Sequence, residues 1–139
     1  MNIREVEDQY ILQTYAKKPI VITRGEGVHV FDDKNNKYLD LYAGHAVCGI
    51  GHCHPKLVKA ITDQAKKLIF FSNSVYNDVR AEAAQLVCKN AYPASSAVFF
   101  CNSGTEANEA AIKIARRATG RPRVIAMDTG FHGRTIGAL

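Results

Sequence analysis

The chain has 139 residues, of which 47% are apolar and 22% charged, a composition typical of a soluble globular domain. Its net charge of +5 comes from 18 Lys and Arg scattered among 13 Asp and Glu, which disfavours a nucleic-acid-binding face and suits small anionic ligands. The opening residues are too charged for a signal peptide. The longest apolar runs, 68–71 and 97–101, fall far short of the roughly 20 residues that span a bilayer. We therefore expect a cytoplasmic protein without a membrane partner.

Apolar periodicity predicts the elements of the first part of the chain. Ile3, Val6 and Tyr10 recur at nearly helical spacing, which predicts an amphipathic helical arm over residues 3–15. Residues 20–42 consist of short β-rich runs separated by glycine and by Asp and Asn clusters. This pattern predicts a three-stranded meander.

Two helices are predicted in the middle of the chain. Pro55 suits the first turn of a helix, and Leu57 and Ile61 belong to an apolar stripe that predicts a helix over 55–69. A second helix is predicted near 79–91, after a polar loop.

The last third of the chain has the pattern strand, helix, strand. The predicted strands are residues 97–101 and 124–127, and the predicted helix between them spans 104–118. Both strands are apolar without alternation, as expected for parallel strands that are buried on both faces of a sheet. The sequence therefore predicts an α/β fold with a βαβ unit.

The turn before the predicted helix at 104–118 has the chemistry of an anion site. Backbone N–H groups are unpaired at a helix start, and Gly104 lets a phosphate approach them closely. Ser103 and Thr105 can add hydroxyl donors. The turn matches neither a Walker loop nor a dinucleotide fingerprint. Ser103 and Glu106 also form a capping-box pattern, which would satisfy the same N–H groups without a ligand, so both interpretations stay open here.

A second turn follows the last predicted strand and should lie at the same sheet edge, where ligands of open α/β sheets bind. Phe131 can stack on a flat cofactor, and Arg134 can make two parallel hydrogen bonds to a carboxylate. Taken singly, the phenylalanine suits a core and the arginine a solvated surface. Together with the phosphate turn, they predict a site for a phosphorylated aromatic cofactor that carries an amino acid.

With these motifs the chain resembles the class III (fold type I) pyridoxal-5'-phosphate (PLP) aminotransferases, and most of all their acetylornithine branch. The segments that carry the resemblance are 24–44, 51–61, 99–116 and 131–135. It implies that residues 1–50 are an N-terminal arm and β-meander of a small domain. It also implies that residues 51–139 begin a large PLP-binding domain, which has a mainly parallel sheet with flanking helices and is truncated here.

The resemblance further implies roles for individual residues. The implied cofactor-binding residues are Ser103, Gly104, Thr105, Phe131 and His132. Gly104 and Thr105 would hold the PLP phosphate, and Phe131 would stack on the pyridine ring. Arg134 would bind the α-carboxylate of the substrate.

The catalytic lysine of the family is not expected among the ten lysines of this chain. Lys113 lies inside the helix after the phosphate turn, and the other lysines fall on predicted turns or helix faces. We expect the Schiff-base lysine, and the aspartate that pairs with the pyridine nitrogen, beyond Leu139. Residues 1–139 alone should then lack transaminase activity, expose a large apolar face and aggregate.

The implied reaction is transfer of the δ-amino group of N-acetylornithine to 2-oxoglutarate, in arginine biosynthesis, by a homodimer. The alternatives are other ω-amino donors (succinylornithine, ornithine, 4-aminobutyrate or a lysine-pathway amine) and a short, non-catalytic product. His45 leaves the donor open, because acetylornithine-type enzymes have an aliphatic residue near this position and ornithine-type enzymes a tyrosine. Tyr76 is a further candidate for the substrate pocket.

A cluster of histidine and cysteine raises the question of a metal site. Its members lie within ten residues and are His45, Cys48, His52, Cys53 and His54. Zinc sites generally draw a second ligand pair from elsewhere in the chain, and no distant pair is evident. We therefore predict no metal, and interpret the segment as a turn that leads into the Pro55 helix with His54 near the cap.

Overall fold

The computed structural model describes residues 2–91 and 97–139. The chain divides into two compact units, Met1–Phe71 and Ser72–Leu139. The first unit contains α1 (Ile3–Tyr10), β1 (Ile22–Glu26), β2 (His29–Asp32), β3 (Lys37–Leu39), α2 (Ala43–Ala46) and α3 (Pro55–Lys67). The second contains α4 (Asp78–Asn90) and α5 (Gly104–Thr119).

The predicted N-terminal arm is helical but shorter than residues 3–15. A capping box starts α1, in which Asn2 Oδ1 accepts from the Glu5 N–H at 3.0 Å and the Glu5 carboxylate accepts from the Asn2 N–H at 2.9 Å. The helix ends at Tyr10, and the next residue, Ile11, is a C-cap whose backbone is extended. The Gln13 side chain donates to the Ile11 carbonyl at 2.9 Å. This carbonyl therefore has a side-chain donor in place of the backbone N–H that a further helical turn would have supplied.

The predicted meander is confirmed. Strands β1, β2 and β3 form an antiparallel sheet in that order. The turn between β2 and β3 is organised by Asp32, which is only 8% exposed. Its carboxylate accepts hydrogen bonds from the Asn36 N–H at 2.7 Å, the Asn36 side chain at 2.8 Å and the Tyr38 hydroxyl at 2.9 Å. The bond from the Asn36 side chain is the main cause that lowers the pKa of Asp32.

The glycine- and histidine-rich segment after the sheet is tied to it through His52. The His52 N–H donates to the Gly27 carbonyl at 2.7 Å, and the Gly27 N–H donates back at 3.0 Å. The His52 ring lies 2.7 Å from the Asp40 carboxylate, which also accepts from the Ala43 N–H at 2.8 Å. These bonds lower the pKa of Asp40, and the one to His52 contributes most.

Asp40 should make the stability of the protein sensitive to acid. Because its folded-state pKa lies below the ordinary value of 3.8, its contribution is present above that value and is lost as the pH falls through the lowered pKa. We expect the melting temperature of the wild type to fall more steeply than that of Asp40→Asn between about pH 5 and pH 3. Asp63→Asn, which removes an exposed carboxylate from an ion pair with Lys59, is the matched control and should keep the wild-type slope. Parallel curves for the wild type and Asp40→Asn would contradict this role.

The three long predicted helices are confirmed as α3, α4 and α5. Pro55 occupies the first turn of α3, with His54 at its N-cap as expected. Asn77 caps α4, since its side chain accepts from the Arg80 N–H at 2.9 Å. Gly120 ends α5 in the left-handed conformation, with φ of 67°.

The two predicted strands of the βαβ unit are not formed, and in this respect the prediction was wrong. Residues 97–101 and 124–127 pair with no strand among the described residues, whose sheet contains only β1, β2 and β3. A parallel strand is stabilised by neighbours that lie far away in the sequence, and these apolar segments have no such neighbour here. Phe99 is 67% exposed and Ile125 is 96% exposed.

Uncovered apolar surface is a general feature of the chain, as the sequence led us to expect. Ala138, at 5% exposure, is the one buried hydrophobic side chain among residues 2–91 and 97–139. Within those ranges no helix is long and apolar enough to cross a membrane.

Candidate cofactor and substrate site

The start of α5 presents unpaired backbone donors. Ser103 is the N-cap, and its Oγ accepts from the Glu106 N–H at 3.2 Å while its carbonyl accepts from the Ala107 N–H at 3.1 Å. Within residues 97–139, no protein acceptor meets the N–H groups of Gly104 and Thr105. Two free N–H groups at the positive end of a 16-residue helix have the chemistry that an anion site requires.

The capping pattern differs from the predicted box by one residue. The Glu106 carboxylate accepts from the backbone N–H of Asn102 at 2.7 Å and from its side chain at 3.2 Å, and the reciprocal bond to the Ser103 N–H is absent from the described contacts. The cap therefore uses the third N–H of the helix and the loop before it. It leaves the first two N–H groups of the helix without a protein partner among the described residues, as a complete capping box would also do, so the anion site stays a prediction.

The space beside Gly104 is free of protein atoms. A Cβ atom built at Gly104 meets no atom within 4 Å, and the backbone there has no positive φ. The protein's own packing and backbone conformation therefore do not require glycine at this position. Close approach of a ligand to the backbone is a physical reason for it.

The second predicted turn packs directly on α5. A Cβ at Gly133 would lie 2.6 Å from Thr105 Cγ2, so the two chain segments meet with no room for a side chain. Asn108 Nδ2 donates to the His132 carbonyl at 2.6 Å. The predicted proximity of the two turns is confirmed, although contacts with the helix produce it here and a shared sheet edge does not.

The residues after Arg134 are also bound to α5, through Glu109. The Thr135 hydroxyl donates to the Glu109 carboxylate at 2.6 Å, and Gly137 lies close to the same carboxylate. Lys113 lies 3.6 Å away on the next turn of the helix. The bond from Thr135 is the main cause that lowers the pKa of Glu109, so this side chain is a carboxylate at neutral pH.

The other predicted site residues are exposed to solvent. Phe131 is 71% exposed, so a ring face is accessible for stacking. Ser103, His132 and Arg134 are exposed. The structure thus brings the residues predicted for the phosphate, the ring and the carboxylate into one region at the start of α5.

Sequence reasoning missed Asn108 and Glu109. For Glu109 the sequence gave a misleading signal, because Glu109 and Lys113 form an (i, i+4) pair that is typical of a solvated helix face. A better signal was the position of two polar residues one turn after the predicted phosphate turn, where a neighbouring loop is expected to pack.

The histidine and cysteine cluster takes up other roles. His52 binds Asp40, and His54 precedes α3 with its Nδ1 atom buried and without a hydrogen-bond partner in the described part of the chain. His45 lies in the single turn α2, which is left-handed, and its ring is 4.7 Å from that of Tyr42. Over the described ranges, no group of three or more His, Cys, Asp or Glu is arranged to hold a metal ion.

Comparison with known proteins identifies the family. The sequence matches the class-III aminotransferases over residues 10–139. The chain belongs to the class-III aminotransferase family. A curated family member, the acetylornithine aminotransferase of Methanopyrus kandleri, is 50% identical over 139 residues, which are 100% of this chain and 36% of that protein.

Solved structures of the family show the same fold. The ornithine aminotransferase of Toxoplasma gondii matches with a TM-score of 0.84 at 34% identity, over 97% of this chain and 33% of that one. The taurine:2-oxoglutarate aminotransferase of Bifidobacterium kashiwanohense, solved in complex with PLP and glutamate, matches with a TM-score of 0.88 at 30% identity, over 99% and 32%. The chain thus spans about a third of the length of these relatives. The expected fold class, a partial fold type I α/β domain, is confirmed.

Proposed function

We propose that these residues are part of a PLP-dependent aminotransferase that transfers the δ-amino group of N-acetylornithine to 2-oxoglutarate. The observation that carries the proposal is the open anion site at Gly104 and Thr105, with the Phe131 to Arg134 turn packed beside it. The acetylornithine aminotransferase relative supports the donor. The complex of a family member with PLP and glutamate supports the cofactor and the amino-acid substrate.

The residues at the start of α5 would bind the PLP phosphate. The N–H groups of Gly104 and Thr105 would donate to its oxygens, and the Ser103 hydroxyl can donate while it accepts the cap bond. Phe131 would lie against the pyridine ring and His132 beside it. Bound PLP supplies an electron sink for the chemistry at the substrate's amino carbon.

Arg134 would bind the α-carboxylate of both amino donor and 2-oxo acid. Its guanidinium group can make two parallel charge-assisted hydrogen bonds, which fix the orientation of the substrate as well as its affinity. The proton-transfer lysine and the aspartate for the pyridine nitrogen are proposed to lie outside residues 1–139. Within this chain the residues bind and orient.

The remaining features of the enzyme are proposals as well. We propose a cytoplasmic homodimer that acts in arginine biosynthesis. Residues 1–50 would belong to its small domain and residues 51–139 to the first part of its PLP-binding domain. The relatives are about three times as long as this chain, so the tests below use the full-length enzyme.

Ornithine is the second candidate donor, because the chain matches the Toxoplasma gondii ornithine aminotransferase structure with a TM-score of 0.84. Initial rates of 2-oxoglutarate-dependent transamination should be compared for N-acetylornithine, ornithine, succinylornithine and 4-aminobutyrate. We expect the largest kcat/KM for N-acetylornithine. A clear preference for ornithine or 4-aminobutyrate would replace the proposed donor, and absence of transamination with every donor would refute the proposed reaction.

A further inference from the structure

The turn that carries Arg134 is held on both sides by side chains of a single helix. On the N-terminal side, Asn108 binds the His132 carbonyl at 2.6 Å. On the C-terminal side, Glu109 binds the Thr135 hydroxyl at 2.6 Å. We propose that Asn108 and Glu109 are positioning residues that fix Arg134 for recognition of the substrate carboxylate. This inference rests on the proposed function and assigns two residues to its substrate site.

The contacts leave the backbone around Arg134 little freedom. Gly133, immediately before it, is buried against the Thr105 side chain, where no Cβ atom fits. Gly137, three residues after it, is similarly close to Glu109, because a Cβ there would lie 2.6 Å from Oε1. A short turn with both flanks in close contact has its backbone defined. The arginine side chain therefore starts from a fixed point.

Glu109 is the stronger of the two anchors. Its side chain is 23% exposed, its carboxylate accepts a charge-assisted hydrogen bond from the Thr135 hydroxyl, and it lies close to Gly137. The interaction with Lys113 is weaker, since the distance is 3.6 Å and the lysine side chain is 75% exposed. The Glu109 carboxylate therefore interacts more strongly with the turn than with Lys113 on the helix surface.

The same helix also sets the distance between two subsites. The proposed phosphate donors, Gly104 and Thr105, are in the first turn of α5, and the two anchors follow one turn later. A rigid helix that carries both contacts keeps the phosphate and carboxylate subsites in register. Loss of an anchor should therefore loosen the carboxylate subsite and leave the phosphate subsite intact.

The test is Glu109→Ala in the full-length enzyme. Because Arg134 contacts the carboxylate in ground state and transition state alike, we expect KM for both amino donor and 2-oxoglutarate to rise about tenfold with kcat nearly unchanged. The affinity for PLP should stay within about threefold of the wild type. Glu109→Gln keeps an acceptor for the Thr135 hydroxyl, so its KM values should lie close to those of the wild type. Glu82→Ala removes an exposed carboxylate from α4 and is the matched control.

A double-mutant cycle gives a second readout. Thr135→Val removes the hydroxyl that Glu109 accepts, so Glu109→Ala combined with Thr135→Val should raise KM less than the product of the two single effects. Unchanged KM in Glu109→Ala would overturn the inference. A rise in KM accompanied by a lower melting temperature and a weaker affinity for PLP would overturn it too, because that combination indicates a structural role. A wild-type enzyme that binds no PLP would instead refute the proposed function, so the two failures are distinguishable.

Discussion

Gly104→Ala in the full-length enzyme should weaken PLP binding by about 10- to 100-fold while leaving the melting temperature of the PLP-free protein unchanged or slightly higher. The new Cβ meets no protein atom within 4 Å, and alanine suits a helix better than glycine does. A phosphate that contacts the N–H groups of residues 104 and 105 would, however, be displaced by it. Each charge-assisted bond lost costs about 1.5 to 3 kcal/mol, which corresponds to this range of affinity.

The control for this substitution lies at the other end of the same helix. Gly120 has φ of 67°, and a Cβ there also meets nothing within 4 Å. Gly120→Ala should therefore destabilise the protein by about 1 kcal/mol through backbone strain and leave PLP binding unchanged. The two glycines should thus separate stability from cofactor affinity, as measured by thermal denaturation and by PLP titration. Unchanged PLP affinity in Gly104→Ala would show that the phosphate lies elsewhere.

Arg134→Lys should raise KM for the amino donor and for 2-oxoglutarate by about 10- to 100-fold, with PLP affinity preserved. Lysine keeps the positive charge but cannot make two parallel hydrogen bonds to one carboxylate. The loss of one charge-assisted bond accounts for the magnitude. Steady-state kinetics with each substrate varied in turn measures the effect.

Arg117→Lys is the matched control, because Arg117 lies in the last turn of α5, remote in sequence from the proposed phosphate site at its start. It should keep wild-type kinetics. An Arg134→Lys enzyme with wild-type KM for both substrates would remove Arg134 from the carboxylate subsite. It would also remove the basis for the positioning role of Asn108 and Glu109.

Much of the fold could be predicted because its determinants are local. The meander follows from β-rich runs separated by turn residues such as Asp33 to Asn36, and α3 from Pro55 and a stripe of apolar residues. The strands at 97–101 and 124–127 could not be established in the same way. Their apolar composition is suited to the interior of a parallel sheet, but pairing depends on strands remote in sequence, and none pairs with them among the described residues.

The residues of the candidate site likewise differ in whether local sequence or distant contacts determine their place. The position of Ser103, Gly104 and Thr105 at a helix start was predictable because it follows from local sequence, whereas their role in binding a phosphate stays a prediction. Asn108 and Glu109 were not predictable, because their importance depends on which loop packs against α5. The bond between Glu106 and the Asn102 N–H, which replaces the predicted bond to the Ser103 N–H, was also beyond the sequence pattern.

Titration of the full-length protein with PLP and, separately, with pyridoxal tests the central claim most directly. The two compounds share the ring and the aldehyde and differ in the phosphate. If the start of α5 binds the phosphate, PLP should bind at least about 100-fold more tightly than pyridoxal, and Gly104→Ala should remove most of that preference. Equal affinity for the two compounds, or a preference that Gly104→Ala does not change, would contradict the assignment of the phosphate site to this helix.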